Sequence, residues 1–176
     1  QDVLDRLWTK VTQVERAPRD DGGLDLVIEG DRYAGVRDEV LRRIISLPDD
    51  GVARYGRLMD GRAREILGRG LSGNDESLLR QAVVRYVLAP GGREAAFALL
   101  DLLIEQGRFD EARIHAQRLR ATLAVIPGAE ADSALAAARE AFALASLGQR
   151  AGFEAFRGTL DDAARNRNIL IAGKRR

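Results

Sequence analysis

The side chains best suited to catalysis or metal binding are few in this sequence. Its 176 residues include a single histidine, His115, and no cysteine. Thiol nucleophiles, disulfides and zinc sites with cysteine ligands are therefore excluded. His115 could act as a general base or a metal ligand, but carboxylates alone would have to complete such a site. We therefore interpret His115 as a residue on the surface or in a groove of a helix.

Adjacent carboxylates occur at three places, and paired carboxylates can perform acid–base chemistry or bind metal ions. The pairs are Asp20-Asp21, Asp49-Asp50 and Asp161-Asp162. We interpret the first pair as solvated loop residues and the second as charges at a helix N-terminus, where they favour the helix dipole. Three other carboxylates, Asp60, Asp75 and Asp110, would indicate an enzyme only if the fold brought them into one cleft.

Nucleotide-binding and hydrolase motifs are missing from the sequence. The segment GRGLSG, at 68–73, lacks the lysine and the preceding strand that a phosphate-binding loop needs, and there is no G-x-S-x-G elbow. We interpret GRGLSG as the flexible end of a helix. We expect no catalytic residue, no cofactor and no metal ion, so we interpret the protein as a non-enzyme.

Composition favours a helical protein, and the net charge argues against a nucleic-acid partner. Alanine, leucine and arginine dominate while aromatic residues make up only 5%, which is a helix-forming composition. The net charge of +1 provides no broad basic field, so we expect no nucleic-acid partner. No apolar run is long enough to span a membrane. The chain begins at Gln1 without a methionine, and removal of a signal peptide is one explanation, trimming another.

The first 30 residues differ in character from the rest. Apolar residues at helical spacing predict a helix over 3–14, with Trp8 on its apolar stripe as a core anchor. A loop follows, and LDLVIEG at 24–30 predicts one short β element. We divide the chain into this N-terminal segment (1–30), a helical-repeat domain (31–165) and a basic tail or linker (166–176).

Helical periodicity runs through the second of these segments. Pro48 ends the first stripe, Asn74 or Asp75 is expected to cap a helix, and APGG at 89–92 predicts a turn. We expect seven or eight helices in an irregular right-handed stack. After the helix expected up to residue 47, the apolar stripes predict helices near 52–67, 75–86, 96–106, 109–122, 131–147 and 150–164.

Glycines separate successive helices at regular intervals. The joints fall at Gly73, Gly107 and Gly148, which are 34 and 41 residues apart, a range found in stacked helical hairpins. In LLDLLIEQGRFDEARIHAQRL, at 99–119, Gly107 permits the turn, Phe109 fills the joint and Ala112 lets the helices approach. This hairpin resembles the tetratricopeptide family, in the looser form found in envelope coordinator proteins. The resemblance implies an all-α solenoid of stacked hairpins.

A wider resemblance covers roughly residues 30–125. The segments GDRYAGVRDEVLRRIISLP, ARYGRLMDGRAREIL and GNDESLLRQAVVRYVLAPGGREAAFALLDLLIEQGRFDEAR occur in this order. The order is similar to the N-terminal helical region of bacterial secreted proteins that continue into a pyrroloquinoline-quinone-type, outer-membrane-assembly-like β-propeller. The matching residues are Asp31, Tyr33, Leu47, Pro48, Tyr55, Asp60, Ala63, Asp75, Leu78, Leu79, Gly92, Ala98, Leu99, Gly107, Phe109 and Ala112. The resemblance implies an extracytoplasmic scaffold, and it assigns any quinone site to the propeller.

Stacked hairpins leave a concave face, and its predicted polar residues are Arg80, Arg85, Arg113 and Gln117. We expect this face to bind another protein, or another domain of the same polypeptide, in a periplasmic or extracytoplasmic assembly; a cytoplasmic location stays open. Two alternatives stay open as well. The chain could be a passive adaptor that precedes a propeller, or a helical repeat that binds RNA.

Overall fold

The structure is a computed structural model that describes residues 26–29, 32–47, 51–160, 170–171 and 174–175. Helices account for most of these residues, which confirms the predicted all-α class. The helix predicted over 3–14, with Trp8, lies outside the described residues. The three adjacent aspartate pairs also lie outside them.

The chain divides into two compact units, Gln1–Tyr55 and Gly56–Arg176. In the first unit, strands β1 (Leu26–Glu29) and β2 (Arg32–Gly35) pair antiparallel, and helix α1 (Val36–Ile45) packs on both strands. Helix α2 (Gly51–Gly73) begins in this unit and continues into the second. Ile44 in α1 is buried, as its place on the predicted apolar stripe requires.

The second unit consists mainly of helices joined by short turns. Each helix from α3 to α7 packs on the next, and α4 also contacts α6. Strands β3 (Leu170–Ile171) and β4 (Lys174–Arg175) form a short antiparallel pair in the segment predicted to be a tail. The helices are α3 (Glu76–Tyr86), α4 (Pro90–Glu105), α5 (Phe109–Leu123), α6 (Glu130–Ser146) and α7 (Arg150–Gly158).

One predicted boundary was wrong, and it involves a glycine. The turn predicted at 89–92 ends at Ala89, because Pro90 starts α4 at a position where its missing N–H costs nothing. Gly92 lies inside that helix, where a Cβ atom would overlap the backbone of Tyr86. Helix α2 ends at Gly73, where the first glycine joint was expected. Its interior Gly70 is buried, and a Cβ atom there would lie 2.9 Å from Leu79 Cδ2.

Glycines at the joints cap the helices as expected. Gly107 and Gly148 adopt left-handed backbone angles, φ 73° and 70°, and Gly128 does so at 77°. After α4, the N–H of Arg108 donates to Leu103 O at 2.9 Å, and that of Gly107 donates to Ile104 O at 3.0 Å. These paired bonds satisfy carbonyls that a helix end leaves open. At the first joint Asn74, not Gly73, is left-handed, with φ 49°.

Leucine and alanine supply the core of the second unit. Ala112 and Ala116 on α5 are buried, and small residues of this kind let neighbouring helices approach closely. Phe109 is half-buried and stacks edge-to-face on Phe142 of α6, with ring centroids 6.3 Å apart. The largest fully buried side chains are Leu79, Val87, Leu88, Leu99, Leu100, Leu103 and Leu123.

Candidate interaction surface

Arginine side chains connect four helices, α2 to α5, each to the helix after next. We call these contacts the alternate-helix bridges. They occur at four successive steps, from α2–α4 to α5–α7, so the same device repeats along the chain. The bridges are Arg64–Glu94, Arg80–Glu111, Arg139–Asp101 and the cation–π contact of Arg120 with Phe156.

The first bridge joins α2 to the start of α4. Arg64 donates to Glu94 Oε1 at 2.9 Å and to Asp60 Oδ2 at 2.8 Å. Asp60 also accepts the backbone N–H of Gly91 at 2.6 Å, one of the donors that a helix N-terminus leaves open. Partial burial acts to raise the pKa of Asp60, but the hydrogen bonds from Arg64 and Gly91 outweigh it and lower that pKa. The ionised Asp60 carboxylate thus caps the N-terminus of α4 through the N–H of Gly91.

The second bridge belongs to a closed cluster between α3 and α5, which we call the Glu76 cluster. Arg108 donates to Glu76 Oε2 at 2.6 Å and to both oxygens of Glu111 at 2.7 Å. Arg80 contacts the same two glutamates, at 2.7 Å and 3.0 Å. Each arginine therefore joins both glutamates. The hydrogen bonds, from Arg108 foremost, lower the pKa of Glu76 and of Glu111.

His115 lies at the edge of the Glu76 cluster. Its Nε2 atom is 2.8 Å from Nη1 of Arg80. A guanidinium group has only donors, so Nε2 is the acceptor in this contact. The lone histidine thus supports the orientation of Arg80, in keeping with the groove position predicted for it.

The third bridge, between α4 and α6, is the most buried. Arg139 donates to both oxygens of Asp101, at 2.7 Å and 2.9 Å, and its side chain is only 9% exposed. The guanidinium also lies over the ring of Phe97, 5.0 Å from the centroid. A second contact joins α4 to α6: Arg93 donates to Asp132 at 2.8 Å.

The last bridge lies beside a cavity. Arg120 donates to the buried Glu140 at 2.8 Å and lies 4.7 Å from the ring centroid of Phe156. Its Nε atom is buried and has no hydrogen-bond partner in the described part of the chain. The cavity beside it has a volume of about 280 Å³ and lies between α5, α6 and the residues after α7; polar groups such as Glu130 and apolar groups such as Leu123 both line it.

The residues predicted for the concave face have different surroundings. The Arg80 guanidinium is hydrogen-bonded to Glu76 and Glu111 in the Glu76 cluster. Arg113 is half-buried and lies 4.0 Å from Asp110, and its Nε atom is buried without a hydrogen bond to any described residue. Gln117 is exposed on α5, while Arg85 is half-buried in the last turn of α3. Arg80 is thus less available to a partner than its surface position on the helix suggests.

The carboxylates considered for catalysis have structural partners. Asp60 accepts the N–H of Gly91, and Asp75 accepts those of Ser77 and Leu78 at 2.9 Å and 3.1 Å. Asp110 lies in the first turn of α5, where a negative charge favours the helix dipole. Within the described residues, no three histidine or acidic side chains are grouped so that they could hold a metal ion.

The bridges themselves are the feature that sequence reasoning missed. Spacings such as Glu76–Arg80 and Arg108–Glu111 are visible as helical neighbours in the sequence. The contacts across 30 or more residues, such as Arg139 to Asp101, have no such local signal. The fold alone brings them together.

A scan of protein-family models, a search of curated proteins and a search of solved structures each returned no match. The tetratricopeptide and propeller resemblances therefore stay predictions. Among the described helices, none has the length and hydropathy needed to cross a membrane.

Proposed function

We propose that this chain is a non-catalytic scaffold for protein–protein interaction, built from stacked helical hairpins of the tetratricopeptide-like kind. The observation that carries the proposal is the repetition of the alternate-helix bridges over four successive steps. In a stack of hairpins, alternate helices lie in the same layer and face one another. Bridges between alternate helices are compatible with such a stack, because they join neighbouring hairpins within one layer.

A scaffold needs a rigid frame and an exposed surface that partners can bind. Several arginines belong to the frame, since Arg64, Arg80, Arg108 and Arg139 all have acidic partners. Other polar side chains, such as Gln117, remain exposed. Helical repeats bind other proteins through extended faces of this kind.

The place of action is proposed from the resemblance alone. We assign the scaffold to a bacterial envelope or extracytoplasmic assembly, where its partner is another protein or a further domain of the same polypeptide. The short N-terminal β element is proposed as an accessory to the helical array. The passive-adaptor alternative is an outcome of the following experiment.

The test is affinity capture from native extract with tagged residues 1–176 as bait. A second bait carries Arg85→Glu and Arg113→Glu on the predicted face, and a control bait carries Arg118→Glu and Arg150→Glu at exposed positions. Both variants change the net charge equally. Circular dichroism verifies that each bait is folded.

Saturable capture of one protein by the native and control baits supports the scaffold. Loss of that protein with the second bait assigns the binding face. If no bait captures any protein saturably, the scaffold is wrong and a passive adaptor explains the fold better.

A further inference from the structure

The guanidinium group of Arg80 is held on three sides. Its Nε atom donates to Glu76 at 2.7 Å, and its Nη2 atom donates to Glu111 at 3.0 Å. The third contact is with His115, whose Nε2 atom lies 2.8 Å from Nη1. Glu76 belongs to α3, as Arg80 does, whereas Glu111 and His115 belong to α5. Arg80 therefore joins α3 to α5 through two groups, and one of them is an imidazole.

The contact with His115 depends on an unprotonated nitrogen. Because Nε2 accepts through its lone pair, a proton on Nε2 would end the hydrogen bond and place two cations side by side. Histidine is the side chain whose charge ordinarily changes between about pH 5 and pH 8. Hydrogen bonds from the arginines lower the pKa of Glu76 and of Glu111, so both carboxylates stay ionised in that range. Of the three contacts, the one with His115 is therefore the pH-sensitive one.

One neighbour of His115 can accept a proton-bearing imidazole. The charged groups around it in the described chain come from α3, from the N-cap of α5 and from α5 itself: Arg80 and Glu76, Arg108, and Glu111 and Arg118. Glu111 precedes His115 by four residues, a spacing at which opposite charges on one helix attract. Its Oε2 atom accepts from Arg108 at 2.7 Å and from Arg80 at 3.0 Å, so the Arg80 bond is the longer. An imidazolium at His115 would therefore compete with Arg80 for Glu111.

We infer that His115 is a pH-sensitive switch that controls the Arg80 bridge. With Nε2 unprotonated, Arg80 connects α3 to α5. With Nε2 protonated, the imidazolium repels Arg80 and pairs with Glu111, so that Arg80 keeps its bond to Glu76 alone. Arg108 still joins Glu76 to Glu111, so the two helices stay connected. The protonated state thus turns the guanidinium of Arg80 toward solvent.

The released arginine lies on the face predicted to bind a partner. A guanidinium without its second carboxylate can donate to a carboxylate of another protein, often through two parallel hydrogen bonds. The switch would thus add a binding cation as the pH falls through the ordinary pKa of histidine, about 6.5. This use of Arg80 rests on the proposed scaffold function, whereas the switch itself is a property of the chain alone.

Nuclear magnetic resonance of the full chain tests the first step. His115 is the only histidine in the chain, so its ring signals are unambiguous. Long-range proton–nitrogen correlation at about pH 8, above the ordinary pKa of histidine, identifies the ring nitrogen that carries the proton. We expect the proton on Nδ1, because Nε2 accepts from Arg80. A proton on Nε2 at this pH would overturn the inference.

A pH titration of the same signals measures the coupling to Arg80. Arg80→Met removes the donor and its charge but keeps a long side chain, so we expect the His115 titration midpoint to move to higher pH. The matched control is Arg118→Met, which removes an exposed cation three residues from His115 on the same helix. We expect the control to move the midpoint much less. Equal shifts in the two variants would show a general charge effect and no switch.

Release of Arg80 is tested at one pH with two substitutions of His115. His115→Gln keeps an acceptor that does not titrate, whereas His115→Lys places a permanent cation there at about pH 8. Phenylglyoxal modifies accessible arginines, and mass spectrometry of peptides reports the rate at each site. We expect Arg80 to react several-fold faster in His115→Lys than in the wild type, and at the wild-type rate in His115→Gln. Arg108, which keeps both glutamates, is the reference within each protein.

The outcomes for the switch and for the scaffold are separate. Equal protection of Arg80 in all three proteins would mean that the glutamates alone hold it, and the switch would be wrong. Faster reaction of Arg80 and Arg108 together in His115→Lys would indicate opening of the whole cluster, which also contradicts selective release. Because these measurements need no partner, the expected results would stand even if affinity capture disproved the scaffold.

Discussion

Two of the alternate-helix bridges have similar geometry in very different surroundings. Between α4 and α6, Arg139 binds Asp101 at 2.7 Å and 2.9 Å. In the Glu76 cluster, between α3 and α5, the corresponding distances run from 2.6 Å to 3.0 Å. The side chains of Arg139 and Asp101 are 9% and 29% exposed, whereas those of Arg80 and Glu111 are 34% and 46% exposed.

Distance therefore does not rank these bridges, but burial does. An exposed pair is screened by water and salt, and ordering its long side chains offsets most of the Coulomb attraction. A buried arginine that loses its carboxylate keeps an uncompensated charge, so the penalty is large even if the intact pair adds little net stability. We expect the α4–α6 bridge to be intolerant of single substitutions and the Glu76 cluster to tolerate them.

The largest expected effect follows from removing the carboxylate of the buried bridge. Asp101→Ala leaves the buried Arg139 guanidinium without its carboxylate partner, with only the Leu135 carbonyl as acceptor, and we expect the free energy of unfolding to fall by about 3 kcal/mol. Urea denaturation followed by circular dichroism measures this change. A loss as small as that expected for an exposed pair would show that burial does not distinguish the two bridges.

The control variant also removes the positive charge of Arg139, which Asp101→Ala leaves without its carboxylate partner. Combining Asp101→Ala with Arg139→Met keeps an apolar side chain against Phe97 and leaves no unpaired cation. We expect the double variant to recover most of the lost stability, because replacing a buried ion pair by apolar groups is often nearly neutral. If it is no more stable than the single variant, the penalty arises from lost packing and not from the charge.

A smaller effect is expected in the Glu76 cluster. Glu76→Ala removes one acceptor from Arg80 and one from Arg108, but Glu111 still accepts from both. We expect a loss of about 1 kcal/mol or less, as for other solvent-accessible pairs.

The dependence of the stability loss on salt distinguishes the Glu76 cluster from the buried α4–α6 bridge. In about 1 M sodium chloride the screening length falls to ~3 Å, so the cost of Glu76→Ala should nearly vanish. The cost of Asp101→Ala should persist in the same buffer. Equal salt dependence of the two variants would contradict the ranking by burial.

The sequence was sufficient for features that depend on neighbours along the chain. Asp75 was one of two residues expected to cap α3, and its side chain does so. Gly107 and Gly148 were expected at joints, and both have the left-handed backbone angles that glycine permits. These features arise from the chemistry of a few consecutive residues, so a pattern of residue types suffices to locate them.

Features that depend on contacts between distant segments were not predictable in this way. Arg80 was expected to face a partner, yet it donates to Glu111, which is 31 residues away. Gly92 was expected in a turn but lies inside α4, where it allows close approach to the backbone of Tyr86. Which arginine meets which carboxylate depends on the packing of the whole stack, and neither composition nor helical periodicity contains that information.

The smallest expected effect is a difference in pH dependence. Hydrogen bonds from the arginines lower the pKa of Glu76 and Glu111 below their ordinary 4.5. As the pH falls through that value, these glutamates bind protons in the unfolded chain before they do in the folded one. The stability that the cluster contributes is therefore present above about pH 4.5 and is lost as the pH falls toward the lowered values.

Glu76→Gln with Glu111→Gln removes both titrating groups while keeping side chains that can accept hydrogen bonds. Asp60, whose pKa is also lowered, is unchanged in both proteins, so its contribution cancels in the comparison. Between about pH 5 and pH 3 the wild-type free energy of unfolding should therefore fall more steeply than that of the variant. Parallel curves would mean that the arginines favour the charged glutamates equally in the unfolded chain, and that the cluster orders α3 and α5 without stabilising them.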